Sequence, residues 1–227
     1  ARDFFRVRSV MRLLESLGNI GSDWVLYRTG EGALWRPLWL AGNGDVKRFL
    51  ALGEQTLIMS ATLPKGSVLM KLLGIDPAQT FEYEIDSSFP LAHRPIFVHP
   101  IARMGRKYED EGIVKQAPII NKILKAHSQQ KVLIHCHSYR LQNALYNLID
   151  PEHRHRLMMH DGFSRAAAIK VFTATTEPKV MLSPSMESGV DIPDLSVLIA
   201  PKVLWPSIGD PWVAKRLAEW PEWYQWR

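Results

Sequence analysis

The chain has 227 residues, 46% of them hydrophobic, and a formal net charge of +5. This is enough apolar content for one large domain, or one domain plus a piece of another. No run of about 18 apolar residues occurs, which excludes a bilayer-spanning helix, and the charged start "ARDFFRVRSVMRLLESLG" excludes a signal-peptide core. The single cysteine, Cys136, excludes an internal disulfide and any cysteine-only metal or iron–sulfur site within the chain. The basic balance favours a polyanionic partner, nucleic acid first, against the plainer reading of surface charge tuned for solubility.

In chain order, Val7, Val10, Met11, Leu13, Leu14 and Leu17 recur at helical spacing up to Gly18, as if a helix entered from something upstream. Arg2, Arg6, Arg8 and Arg12 share that helix and read as a solvated face rather than a DNA-facing stripe. "DWVLYRTGEGALWRPLWL" reads as two strands around a turn at 29–32, and "DVKRFLALG" as a short helix N-capped by Asp45. "QTLIMSATL" is expected to be a buried strand ending at Ser60-Ala61-Thr62, and "GSVLMKLLGID" a helix closed by Gly74. "TFEYEI" and "RPIFVHPI" read as strands and 102–112 as a loop.

From 117 onward the pattern is regular. Helix "APIINKILKAHS", strand "KVLIHCHS", helix "YRLQNALYNLI", strand "RHRLMMHDG", helix "SRAAAIKVFTA", strand "PKVMLSPS", strand "LSVLIAPKVL" and helix "DPWVAKRLAEW" follow one another. Such alternation predicts an α/β fold, a parallel sheet with helices on both faces. Ligands of these sheets sit at the carboxyl ends of the strands. The polar stretches Ser60–Thr62, His137–Tyr139, His160–Gly162 and Ser183–Asp191 all fall at such ends, where hydroxyls, backbone N–H groups and glycine suit phosphate. Turn residues are needed at strand ends in any case, so the four together carry more than any one.

"LIMSATLP", "VLIHCHSYRLQNAL" and "VMLSPSMESGVDIPD", with the later Pro206, Asp210 and Pro211, resemble successive motifs III, IV and V of superfamily 2 DNA helicases of the XPD/DinG-like branch. The resemblance covers about residues 54–226. It implies a RecA-like three-layer fold. Residues 1–62 would be the end of a first helicase domain with a possible remnant of an arch insertion, and 63–227 the second RecA-like domain, lacking its last arginine motif. It implies an ATP-dependent helicase that moves 5′ to 3′ on single-stranded DNA. ATP and Mg2+ would be held in the complete enzyme, and an iron–sulfur cluster only in parts outside this chain. The chain has no G-x-x-x-x-G-K-[ST], so it is not expected to hydrolyse ATP alone.

The resemblance further implies roles for individual residues. Ser60 and Thr62 would couple nucleotide state to DNA, as would Gly189 and Asp191 at the ATP cleft. Ser138, Ser185, Met186 and Lys202 would lie along the DNA backbone; Tyr139 would either contact a sugar or base or pack at a helix start; Arg140 would reach a phosphate. Ser188 stands where the family often has an acid before the glycine, which weakens that one carry-over. Trp205 either stacks on a base or is a core residue. His135, Cys136 and His137 are adjacent on a strand, so they cannot all face one ion, and no metal site is expected there. Partners would be single-stranded DNA and the first helicase domain, with no membrane. The location would be cytoplasmic and nucleoid-associated in a prokaryote or virus, nuclear in a eukaryote. The competing reading is a RecA-like docking module without motor activity.

Overall fold

The computed structural model describes all residues except 1, 19, 30, 31, 41–43, 61, 62, 65, 89, 187–189, 204 and 227. In chain order its elements are helix α1 (Arg2–Gly18), strands β1 (Trp24–Thr29) and β2 (Gly32–Pro37), and helices α2 (Gly44–Leu50), α3 (Gly66–Leu73) and α4 (Glu109–Ala126). Then come β3 (Lys131–His135), α5 (Tyr139–Leu148), a 310 turn (Pro151–Arg156), β4 (Leu157–Met158), α6 (Arg165–Ala174), β5 (Val180–Ser183), β6 (Leu195–Ile199), α7 (Pro211–Glu219) and α8 (Pro221–Trp226). Two compact units result. Residues 1–88 and 205–227 form one, and residues 89–204 the other. Among the described residues no helix is long and apolar enough to cross a membrane.

The second unit is a mixed α/β fold around a four-stranded, all-parallel sheet in the order β4-β5-β3-β6. Every residue of β3 and β5 is buried, as expected of strands covered on both faces. The pleat divides β3 between two cores. Val132 and Ile134 pack with Ile113, Ile120 and Leu124 of α4 and Leu141 and Leu145 of α5. Leu133 turns the other way and packs with Phe172 of α6, Met181 and Met186. Helices thus cover both faces, giving the three-layer architecture of RecA-like folds. Each fully buried aliphatic side chain contributes about 1.5–3 kcal/mol.

Buried polar groups tie the layers together. Arg156, buried, sends its guanidinium to four backbone carbonyls: Pro178 (2.5 Å), Leu124 (3.2 Å), His127 (3.1 Å) and Gln130 (2.8 Å). It thereby joins the C-terminal end of α4 to the start of β5. A cation suits a helix C-terminus, whose last carbonyls lack partners. Burial pushes its pKa down. Gln116 Nε2 donates to Pro201 O at 2.7 Å, tying α4 to the chain beyond β6.

In the first unit, β1 and β2 pair antiparallel, Trp24 with Pro37 through Thr29 with Gly32, as the sequence predicts. Gly32 has φ 149°, which only glycine adopts readily. The core is aromatic: Val213, Trp220 and Trp223 are buried, with Trp39, Trp212, Val68 and Leu72 against them. The Arg216 guanidinium lies 4.2 Å from the Trp212 ring centroid, 4.6 Å from Trp223 and 4.8 Å from Trp39. Cation–π attraction of this kind is worth about 2 kcal/mol or more when desolvated. Asp210 caps α7, accepting from Trp212 N at 2.8 Å and Val213 N at 3.3 Å, and it accepts the Tyr27 hydroxyl at 2.5 Å. Partial burial alone would raise its pKa, but the Tyr27 bond, the two helix N–H groups and Arg36 hold it below the usual carboxylate range. Trp205 is half-exposed and stacks on Tyr224, with ring centroids 5.3 Å apart, so it is no core residue.

Three expected strands are not strands. Residues 56–60, 81–87 and 95–100 have no regular structure, with Leu57 81% and Met59 78% exposed. An apolar run states a capacity to pair, but a strand exists only where a neighbour takes up its backbone groups. The expected strand over 154–162 shrinks to Leu157–Met158 behind the 310 turn, and that over 195–204 to Leu195–Ile199. The expected loop at 102–112 ends early, because α4 begins at Glu109 and runs through Pro118. Glu109, Asp110 and Glu111 suit the positive end of the helix dipole.

Candidate nucleic-acid interface

Because the four strands are parallel, their carboxyl ends lie along one edge. After β3 the chain makes a tight turn. His137 has φ 57°, and Ser138 N–H donates to Cys136 O at 2.8 Å across it. A non-glycine residue there costs about 1–3 kcal/mol and persists only where its surroundings hold it. The turn sets Ser138 as N-cap of α5, its Oγ accepting from Leu141 N at 3.2 Å. The hydroxyl proton remains available to an acceptor.

A hydrogen-bonded chain links the ends of β4 and β5. His160 Nδ1 lies 3.0 Å from Asp161 O, a pure acceptor, so Nδ1 carries the proton. In the neutral ring Nε2, 2.7 Å from Ser183 Oγ, then accepts the Ser183 hydroxyl. Ser183 Oγ accepts Ser185 N–H at 3.3 Å. Gln142 of α5 donates to His160 O at 3.0 Å, and the Tyr139 ring meets His160 edge-on with centroids 6.2 Å apart. Three strand ends are thus held in one network. Arg165, the first residue of α6, completes it: Nε lies 3.0 Å from Ser185 Oγ and 3.1 Å from Ser185 O, and Nη2 2.7 Å from the same carbonyl.

Asp161 shapes the turn between β4 and α6. Its Oδ1 accepts Phe163 N–H (2.9 Å), Ser164 N–H (2.7 Å) and the Ser164 hydroxyl (2.7 Å). The Ser164 hydroxyl, then the two N–H groups, hold its pKa below the usual carboxylate range. The turn presents Phe163 fully to solvent. Gly162 beside it has Tyr139 Oη 3.8 Å from where a Cβ would stand. Two exposed π-faces, Tyr139 and Phe163, therefore flank this edge.

Tyr139 and Ser185 lie in this network, and Ser138 caps α5 next to Tyr139. Met186 does not present its side chain: it is buried against Leu133, Phe172 and Met181, so an apolar pocket outcompetes the expected nucleic-acid contact. Arg140 and Lys202 are at the same edge, but neither is unpaired. Arg140 Nη1 lies 2.8 Å from Glu109 Oε2 and Nη2 bonds Asp110 Oδ1, while Lys202 Nζ lies 3.0 Å from Glu109 Oε1. Arg140 is exposed, as expected, but its guanidinium is engaged by these two acids. Asp191 is exposed on the β5–β6 connection. Ser60 belongs to the other compact unit, in an exposed irregular stretch. Thr62 and Gly189 lie outside the described residues.

His160 and Ser183 were given no individual role by the sequence, and Arg165 and Phe163 were not singled out. His160 and Ser183 had a signal in sequence, being at predicted strand ends. Arg165 and Phe163 flank the same turn but belong to no quoted motif.

Cys136 is fully buried, and burial pushes its thiol up to about 12. A protonated thiol is a poor metal ligand and nucleophile. Among the described residues no group of three or more histidine, cysteine or acidic side chains could hold a metal ion.

The chain matches no family model and no curated protein.

Proposed function

We propose that residues 63–227 belong to the second RecA-like domain of an ATP-dependent DNA helicase of the XPD/DinG-like kind, and that the strand-end edge of the 89–204 unit holds the sugar–phosphate backbone of single-stranded DNA. The observation that carries this reading is the gathering of side chains at one edge of a parallel sheet: hydrogen bonds join His160, Ser183, Ser185 and Arg165, the Tyr139 ring meets His160, and Ser138 caps α5 next to Tyr139. Hydroxyls and N–H groups suit phosphate oxygens, and contacts of that type position a strand without reading its sequence. Tyr139 and Phe163 offer faces for unstacked bases, worth about 1–3 kcal/mol per stacked base. A duplex, with its bases already stacked, gains nothing from them.

Nucleotide chemistry belongs to the larger enzyme in this reading. The residues present do not by themselves fit a triphosphate: no lysine-bearing glycine loop exists, and Asp191 is one exposed carboxylate. No hydrolytic step is assigned to this chain. When bound in the complete enzyme, ATP with Mg2+ would supply the energy for moving the two domains. An iron–sulfur cluster would need thiolates that one buried cysteine cannot provide.

The test is fluorescence anisotropy of a labelled oligothymidine 20-mer titrated with the protein at several KCl concentrations. Weak binding is expected, with log K falling linearly in log salt at about 0.7 per phosphate contacted. Arg165→Ala should weaken it. Absent or salt-independent binding would refute the nucleic-acid assignment, and would favour the docking-module reading. ATPase activity of the isolated chain would overturn the domain assignment.

A further inference from the structure

We infer that Glu109 and Asp110 hold, with their carboxylates, the place of a DNA phosphate against Arg140 and Lys202, and that these two acids set how tightly the strand-end edge takes single-stranded DNA. The inference rests on the reading above. Arg140 is the second residue of α5, beyond β3, and Lys202 follows β6, the neighbour of β3 in the sheet. Both cations meet at the N-terminus of α4. Glu109 bridges them, one oxygen to each, and Asp110 takes the other arm of the Arg140 fork.

A guanidinium fork matches a carboxylate and a phosphodiester in the same geometry. Here its two arms take one oxygen from each of two carboxylates. Two cations and two carboxylates leave the cluster without net charge, although the chain as a whole is at +5. The acids differ in their hold. The Glu109 side chain is 10% exposed and that of Asp110 83%. The Asp110 partnership is a surface pair of low net worth. It is the arm that an incoming phosphate displaces first, while Glu109 retains Lys202 and keeps both cations at the edge.

This is opposite in sign to a merely supporting role. Acids that only position Arg140 and Lys202 for phosphate would weaken binding when neutralised. Acids that stand in for phosphate would strengthen it. The test uses the oligothymidine 20-mer with the intact chain and the variants Asp110→Asn, Glu109→Gln and Glu111→Gln. Glu111 lies in the same turn but pairs with Lys115 at 2.5 Å, so its variant makes the same charge change away from the cluster. Asp110→Asn and Glu109→Gln are each expected to tighten binding about two- to fivefold. They should steepen the salt slope by up to about 0.7 per cation released. Asp110, being exposed, can be changed without risk to folding, so the test stands even if Glu109→Gln unfolds. Unchanged or weaker binding in Asp110→Asn, or equal tightening in Glu111→Gln, overturns the inference and leaves the DNA reading standing. Absence of binding by every form, with folding intact by circular dichroism, refutes the DNA reading and the inference with it.

Discussion

Replacing Arg156 by methionine tests the packing of the strand-bearing unit at its most connected point. The guanidinium donates four hydrogen bonds to carbonyls of Leu124, His127, Gln130 and Pro178 and is 4% exposed. Methionine keeps much of the stem's volume but removes every donor. Hydrogen bonds involving a charged group contribute about 1.5–3 kcal/mol each taken singly. Four cannot simply be added, because burying the cation itself opposes folding, as its lowered pKa indicates. Methionine leaves the buried carbonyls among these unsatisfied, at about 1–3 kcal/mol each, and a net loss of about 3–5 kcal/mol is expected. The assay is urea denaturation followed by far-UV circular dichroism. All eight tryptophans lie outside residues 89–204, so their fluorescence reads the other unit. Arg156→Lys should recover less than half the loss, since one ammonium cannot span carbonyls arranged for a fork. A loss under about 1 kcal/mol in Arg156→Met would refute the view that this residue joins α4 to β5.

Three further outcomes are expected. Ser138→Ala removes the N-cap of α5 and should lower stability by about 1 kcal/mol in the same urea assay. Asp210 has a depressed pKa in the folded state, so its contribution is present above the unfolded carboxylate value of about 3.9 and is lost as pH falls through the folded value. Asp210→Asn should therefore flatten the acid limb of the stability–pH curve read by tryptophan fluorescence. Cys136, buried with its thiol at about 12, should resist iodoacetamide at pH 8 in the native state and react at a rate set by opening of the structure.

The parallel sheet was legible because β3 and β5 are continuous apolar runs flanked by helical periodicity. "KVLIHC" and "KVMLS" declare strands buried on both faces whatever surrounds them. The same logic misread Gln55–Leu63, Thr80–Ile85 and Arg94–Ile101. These runs have the composition of strands, but their described residues pair with no neighbouring strand. The edge itself was partly legible. Ser138 and Ser185 stand out as small hydroxyls after apolar runs, and their order along the chain gave them a common side of the sheet. What sequence did not carry was pairing at long range. Arg140 finds Glu109 across 31 positions and Lys202 finds it across 93, so two cations read as open to phosphate prove to be engaged. Met186 looked like a loop residue beside DNA, yet the apolar pocket around Phe172 lies within its reach.

The central claim is that the ends of β3, β4 and β5 form one phosphate-gripping edge. Titrating an isotope-labelled sample with unlabelled oligothymidine and recording amide chemical shifts tests it residue by residue. The account predicts salt-sensitive shifts concentrated at Ser138–Arg140, Asp161–Arg165 and Ser183–Met186. Shifts that spare these three stretches and gather elsewhere, on α1 or on the aromatic unit, would contradict it.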